Sequence, residues 1–563
     1  MAVSKKVQIY DTTLRDGCQS EDVSLALSDK LTIAERLDDL GVDYIEGGWP
    51  GSNERDAAFF SAVKKLRLRH AKVAAFGSTR RANIRPADDR NLDLILRAGT
   101  PVATVVGKTW DLHVKEALRI SNEANLEILN DTVAYLKKRV DEVILDAEHF
   151  FDGFVFNRDY ALACLKAADD AGVDSITLCD TNGGRLVHEI EAGVRAACES
   201  VKCPIGIHCH NDADSAVANS LAAVRSGAAL VQGTINGLGE RCGNANLISI
   251  IANLQIKLGY RCIPASKLKK LSDLSALVYE LANITPLARQ PYVGRSAFAH
   301  KGGLHVSGIQ RNTRTYEHID PKLTGNDRRV VLSELAGQAN IIYKAKEFGL
   351  ALDASNEKIG PLLDELKRLE GLGYVFDGAD ASFELVMLRA LGLEREHFQF
   401  VSFRVFDDKW HEDEAPLSEA VVVLDGPDGR RSRTSALGNG PVNALDSALR
   451  QALVPYYPGL AAMQLVDYKV RVLGNGAGTG ARVRVLIDST DGKRHWGTVG
   501  VSHNVIEASW QALVDSVEYK LHKDNAKPRT KPARKGDGAQ ALDASSAENG
   551  LHRARIQGSG LRA

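Results

Sequence analysis

The sequence predicts a (β/α)8 TIM barrel followed by a helical linker region and a C-terminal α+β domain. Three observations carry that prediction. Up to about residue 258, eight short β-branched apolar runs alternate with longer amphipathic stretches. Gly41, Gly99, Gly172 and Gly227 stand where the intervening helices would end. After Phe398 strand-like alternation returns with a different rhythm. Eight strand–helix units in about 250 residues have the size of a closed parallel barrel, whereas an open doubly wound sheet usually has fewer strands.

In chain order, strands are expected at Val7–Tyr10, Tyr44–Glu46, Val73–Phe76, Val102–Val106, Glu142–Leu145, Ser175–Leu178, Ile205–His210 and Leu230–Thr234. The helical patterns between them are Asp29–Leu40, Asp56–Leu66, Asn91–Ala98, Ala124–Arg139, Asp159–Ala171, Val187–Ser200, Ser215–Gly227 and Leu247–Leu258. The barrel is thus expected over 1–260. Residues 261–395 read as mainly helical, with a Gly-rich interruption at Gly294–Gly308, and form a linker carrying small subdomains. Over 396–523, Phe400–Phe406, Glu419–Leu424, Lys469–Val472 and Arg482–Ile487 are strand-like, with helices expected at Pro441–Leu453 and Val505–His522. Two strand–strand–helix units imply internal pseudo-repetition. The basic, Ala/Gly/Ser/Pro-rich stretch 524–563 is expected to be a disordered tail.

Composition excludes several classes. The chain is 44% hydrophobic and 25% charged, ordinary for a globular protein. Lys plus Arg number 71 against 72 Asp plus Glu, so no overall charge draws it to nucleic acid or an anionic membrane. No apolar run approaches the ~18 residues of a membrane span, and Met1–Lys6 lead into a strand with no signal-peptide pattern. Eight cysteines without C-x-x-C spacing read as reduced thiols of a cytoplasmic protein.

In a barrel of this kind, reactive groups gather at the C-terminal ends of the strands. Arg15 and Asp16 follow the first apolar run, Glu46 ends the second, Lys108 follows the fourth and Glu148 the fifth. Asp180 and Thr181 follow the sixth, His208 and His210 end the seventh, and Asn236, Glu240 and Asn244 trail the eighth. In Gly206-Ile207-His208-Cys209-His210-Asn211-Asp212 the period of two puts both imidazoles on one strand face and turns Ile207 and Cys209 toward the helices. A lone histidine there would read as a satisfied core group; a pair at a strand end reads as two ligands of one divalent ion. Asp16 is the matching hard anionic ligand and Asn244 an amide-oxygen ligand. Mixed N/O ligation fits Mn, Mg, Zn or Co without choosing among them. Arg15 beside Asp16 can hydrogen-bond an anionic oxygen that the ion also polarises, although a strand-end ion pair is the commoner use of such a pair. His305, among the glycines of Ala299–His305, has the chemistry of a general base, with a structural role equally open.

At these motifs the chain resembles the 2-isopropylmalate, homocitrate and citramalate synthase family. Asp11–Gln19 with Lys30 matches the family's first signature, and His208–Asp212 with Ala216–Ser220 its second. Likeness continues through Gly237–Asn246, Ser296–His305, Tyr316–Pro321, Gly438–Val442 and Gly500–Trp510. Glu46–Asn53, Phe76–Arg81 and Asp146–Gly153 are most similar to the longer citramalate synthases. The resemblance implies a Claisen-type condensation of acetyl-CoA with pyruvate and water, giving (R)-citramalate and CoA for isoleucine synthesis. It implies metal ligands at Asp16, His208, His210 and Asn244, and a keto-acid and oxyanion contact at Arg15. It further implies a keto-acid contact at Thr181, catalytic roles for Glu148, His305 and Tyr316, a homodimer, and a C-terminal regulatory domain with isoleucine as effector. A larger keto acid, as in the sister synthases, and a silent amino-acid sensor are the alternatives. Asp214 stands where relatives commonly carry Gly, and Ser307 where some carry Asp.

Overall fold

The structure is a computed structural model that describes residues 5–21, 23–331, 338–352, 355–413, 415–473 and 480–528, so most of the expected tail, 529–563, lies outside the described residues. The chain divides into two compact units, 1–330 and 331–563.

In the first unit β1 (Gln8–Asp11), β2 (Tyr44–Gly48), β3 (Lys72–Ser78), β4 (Val102–Lys108), β5 (Glu142–Glu148), β6 (Ser175–Asp180), β7 (Ile205–Cys209) and β8 (Leu230–Gly233) form a closed parallel barrel. Closure comes from β1 pairing with β8, Gln8 opposite Leu230 and Asp11 opposite Gly233. Alternate side chains segregate as the pleat requires. Tyr10, Tyr44, Ala74, Val102, Ile144 and Leu230 pack against one another as an inner layer, while Ile9, Ile45, Ile207 and Val231 join the core shared with the helices. Several strands run further than their apolar runs. Lys108 and Glu148 still pair across β4 and β5, and Asp180 pairs with Cys209, so these polar groups sit on the strand ends themselves.

Two features depart from the sequence reading. Phe150–Phe156 forms a short helix where the sequence reading placed no element. It starts at His149, whose left-handed backbone (φ 55°) turns the chain off β5, and it buries Phe150 and Phe151. The helix expected over Leu247–Leu258 is α-helical only over Leu247–Ala252, and widens to π-type turns over Asn253–Lys257. Beyond the barrel, helix Leu271–Leu281 packs back through Asn236, whose Oδ1 accepts from Ser275 Oγ (2.6 Å) and Gln290 Nε2 (2.9 Å). Two short strands, β9 (Ala299–His300) and β10 (Arg329–Val330), pair in parallel and flank helix Gly303–Arg311.

The second unit begins with helices Gln338–Glu347, Ile359–Leu372 and Asp380–Leu391. Two repeats follow. β11 (Gln399–Asp408), β12 (Leu417–Asp425) and β13 (Arg431–Gly438) precede helix Pro441–Leu453; β14 (Gln464–Leu473), β15 (Arg482–Thr490) and β16 (His495–Ser502) precede helix Val505–Lys523. Each repeat therefore holds three antiparallel strands, not two. β13 escaped the sequence reading because Arg431–Ser435 is polar and largely exposed, and β16 because Gly497 and Gly500 interrupt its apolar pattern. The helices bury Leu445, Leu449, Leu513 and Val517 with Val422, Leu424, Val485 and Ile487 in one shared core. Among the described residues, no helix is long and apolar enough to cross a membrane.

Gly233 ends β8 where a Cβ would lie 2.4 Å from the Ala245 carbonyl oxygen. Gly233→Ala is therefore expected to destabilise the first unit by roughly 1–3 kcal/mol through overpacking. Urea denaturation checks this; an unchanged midpoint and slope would contradict the close approach.

Candidate active site

The site is assembled by the end of β1. Asp11 accepts from Thr13 N (2.9 Å) and Thr13 Oγ1 (2.9 Å), and that hydroxyl in turn accepts from Ile235 N (2.8 Å) beyond β8. Thr12 donates to the Gly233 carbonyl from its amide (2.8 Å) and its hydroxyl (3.1 Å). The Thr12 carbonyl then receives the amides of Arg15, Asp16 and Gly17, a tight turn that presents Arg15 and Asp16 over the barrel mouth. Burial pushes the Asp11 carboxyl up to about 7, which suits a group whose task is local hydrogen bonding.

Asp16, His208 and His210 form a buried cluster whose candidate ligand atoms all lie within 4.8 Å of one another. His208 Nε2 is 3.5 Å from Asp16 Oδ2 and 3.4 Å from His210 Nε2. Two imidazole nitrogens and a carboxylate oxygen facing one point make a donor set for a divalent ion. Asn244 is the candidate fourth donor. Its strand bridge to His210 holds it beside the cluster, and Nδ2 donates to the Leu238 carbonyl (3.2 Å), leaving Oδ1 free. Asn244 Oδ1 and Asp16 Oδ1 are buried and lack a hydrogen-bond partner, a costly state that an ion would relieve. Gly239 is needed here, because a Cβ would meet Asn244 Nδ2 at 2.1 Å.

Electrostatics favour the binding forms of these ligands. Burial opposes ionisation of Asp16, but the Arg15 guanidinium beside it outweighs that and holds the carboxyl below its usual range. Burial lowers both His208 and His210, which favours the neutral imidazoles that can donate lone pairs. Cys209 is buried on the opposite strand face, outside the cluster, and burial pushes its thiol well up.

Arg15 is held on three sides. Nε donates to Glu46 Oε2 (2.5 Å), Nη1 lies 3.4 Å from Asp16 Oδ2, and the guanidinium sits 4.0 Å above the Phe76 ring. Glu46 also accepts from Tyr10 (2.8 Å). Burial works against the Arg15 charge, but Glu46 and Asp16 more than restore it, so Arg15 is a fixed cation. A cavity of about 230 Å³ opens over these groups, lined by Arg15, Asp16, Glu148, Thr181, His208 and His210 with Trp49, Phe76, Val106 and Cys179 on its apolar side. Glu240 and Arg241 lie at its rim. Arg241 is clamped to Asp212 (2.8 and 3.0 Å) and to the Thr181 carbonyl (2.8 Å). Thr181 Oγ1 accepts from His149 N (2.9 Å), which leaves the hydroxyl proton available to a ligand. Lys108 pairs with Glu148. The turn into this loop passes through Asp214 at φ 53°, the left-handed conformation that favours Gly at that position.

Arg15, Asp16, Glu148, Thr181, His208, His210 and Asn244 are thus brought together. His305 and Tyr316 are not among the cavity's lining residues. They stack on each other, ring centroids 4.0 Å apart, and both are exposed. Gly308 permits this, since a Cβ there would meet the Tyr316 ring at 2.6 Å. Among residues singled out by position, Asn236 serves the helix contact instead, and Asp180 does not line the cavity but accepts from Arg185 N (3.2 Å), its carboxyl raised to about 6 by burial. Gln232 and Asp146 were missed. Their signal is a polar residue inside an apolar strand run.

A closed barrel with such a cluster at its mouth, followed by two three-stranded repeats, defines a class of two-part barrel proteins, and family models match each part. An HMGL-like model matches residues 6–278, a homocitrate synthase post-HMGL domain-like model 292–371, and a LeuA allosteric (dimerisation) domain model 377–521. The chain is 56% identical over 517 residues to an (R)-citramalate synthase of Geobacter sulfurreducens, covering 92% of this chain and 98% of that protein. It is 54% identical to that of Aquifex aeolicus, covering 93% and 99%. A 2-isopropylmalate synthase of Methanocaldococcus jannaschii is 31% identical, covering 92% and 96%. The chain belongs to the (R)-citramalate synthase family.

Asp16→Ala removes the one anionic donor of the cluster. Isothermal titration of the stripped protein with Mn²⁺ is expected to show at least about a 100-fold loss of affinity, beyond the effect of an outer partner. Affinity within threefold of the parent would remove Asp16 from the ligand set.

Proposed function

We propose that this chain condenses acetyl-CoA with pyruvate and water, releasing (R)-citramalate and CoA for isoleucine biosynthesis. The observation that carries the reading is the convergence of Asp16, His208, His210 and the orphaned Asn244 oxygen beside a fixed arginine, in a cavity sized for a small keto acid. A divalent ion (Mn, Mg, Zn or Co) held by those four residues would supply Lewis-acid polarisation of the keto oxygen.

The chain's own groups do the rest. Arg15 cannot lose its charge or swing away, so it is preorganised to donate to the keto oxygen as negative charge builds there. The free proton of the Thr181 hydroxyl suits the keto acid's carboxylate. Glu148 at the cavity wall and His305 with Tyr316 are assigned to removal of a proton from the acetyl methyl, His305 as base and Tyr316 as the ring that orients it. That methyl is weakly acidic, so proximity supplies much of the rate. Hydrolysis of the thioester makes the overall reaction effectively irreversible. Trp49, Phe76, Val106 and Cys179 bound the space left for the keto-acid side chain, which favours the methyl group of pyruvate over a branched chain.

His305 and Tyr316 are exposed and away from the cavity of their own chain, which fits delivery to the barrel of a second copy. A homodimer is supported by the dimerisation-domain match and by exposed apolar side chains on β11 and β14, Phe400, Phe406, Val470 and Val472 among them. That domain is assigned feedback control by isoleucine, the end product of the proposed pathway, and the enzyme is assigned to the cytoplasm.

Metal-replete protein given acetyl-CoA with pyruvate, 2-oxoisovalerate or 2-oxoglutarate is expected to release CoA fastest with pyruvate. Preference for a larger keto acid would move the enzyme to a sister activity, and no release with any would overturn the reading. Arg15→Lys, losing the planar fork, should lower kcat by roughly 10²–10³ with little change in metal affinity. Steady-state kinetics decides; near-parental kcat would take the oxyanion role from Arg15.

A further inference from the structure

Gln232 lies on β8, fully buried, one strand away from the paired histidines. Its side-chain oxygen is 3.0 Å from His208 Nδ1. Its nitrogen donates to Asp146 Oδ1 on β5 (2.8 Å) and to Thr177 Oγ1 on β6 (3.2 Å). With its nitrogen toward Asp146 and Thr177, each of which has a lone pair to offer an N–H, the amide is bonded at both donors. The amide oxygen is then the end that faces His208, and an oxygen can only accept.

We propose that Gln232 is the positioning residue for the ion: it holds the His208 proton on Nδ1 and keeps the Nε2 lone pair aimed at Asp16 and His210. The inference rests on the ion-binding reading of the cluster and adds to it a source of tautomer and ring orientation. A neutral imidazole has two tautomers, and only the one protonated on Nδ1 offers Nε2 as a ligand. His210 has no such support, since its Nδ1 is buried without a partner. The burden of preorganisation therefore falls on His208. The chain Thr177–Gln232–His208, with Asp146 beside it, ties strands β5, β6, β7 and β8 at one level of the barrel interior. Gln232 touches no reacting atom, so its effect should appear in ion affinity and not in the chemical step.

The test is Mn²⁺ titration of stripped parent, Gln232→Met and Gln232→Glu proteins, with thermal melts of each without metal. Methionine keeps the length and burial but cannot accept from Nδ1–H; glutamate still can. Gln232→Met is expected to bind Mn²⁺ about 10–100-fold more weakly than the parent. Its kcat at saturating Mn²⁺ should stay within about threefold of the parent's, since only the loading of the ion is impaired. Gln232→Glu should retain affinity within about tenfold of the parent's. Parental affinity in Gln232→Met overturns the proposal, as does a kcat lost at saturating metal. Should Gln232→Met fail to fold, Gln232→Glu decides alone, with an affinity lost as fully as in Asp16→Ala ruling out the accepting role. A parent that binds no divalent ion would instead overturn the ion-binding reading itself.

Discussion

The site depends on one seam, the closure of β1 on β8. Backbone pairing from Gln8–Leu230 to Asp11–Gly233 is extended by Thr12 on the Gly233 carbonyl and Thr13 on the Ile235 amide. Because β7 and β8 are neighbours, closing that seam delivers Asp16 from the first strand to the histidines of the seventh, some 190 residues later in the chain. Asn244 arrives by the same logic from beyond β8, through its bridge to His210. Candidate ligands from distant parts of the sequence become neighbours because the barrel is a ring.

The second constraint is electrostatic. The barrel interior holds Arg15, Asp16, Glu46 and Asp146 within a few residues of its mouth, all largely removed from water. Such a set persists only if charges are paired and polar atoms bonded. Glu46 offsets Arg15, while burial and the charge of Glu46 raise Asp146 well above the ordinary carboxyl range, which lowers the net negative charge. Of the buried side-chain atoms without a hydrogen-bond partner, three fall together here, Asp16 Oδ1, His210 Nδ1 and Asn244 Oδ1, while others such as Arg80 Nε and Glu384 Oε2 are scattered through the fold. Three such atoms beside the His208 and His210 imidazoles form an arrangement that a divalent ion would relieve.

Much of this was legible in the sequence because the barrel has strong periodic signals. Each of the eight apolar runs became a strand, and the H-x-H pair needed only the two-residue pleat to be read as co-facial. Asp16 and Asn244 could be placed because strand order in a barrel follows chain order. Other features were hidden for identifiable reasons. β13 and β16 carry polar residues or glycines where pairing with neighbours, not local propensity, decides the conformation. The Phe150–Phe156 helix lies where the sequence reading placed no element and follows from the left-handed turn at His149. Gln232 and Asp146 sit inside apolar runs, where a polar residue is easily passed over; their partnership spans 86 residues and exists only across the closed barrel. The separation of His305 from the cavity is likewise a tertiary fact that no motif encodes.

The central claim is that a single ion site lies between β1, β7 and the loop after β8. Anomalous diffraction from crystals grown with Mn²⁺ tests it most directly. One strong anomalous peak per chain is expected, within coordination distance of Asp16, the Nε2 atoms of His208 and His210, and Asn244 Oδ1. A peak elsewhere, or none at a Mn²⁺ concentration that supports turnover, would contradict it.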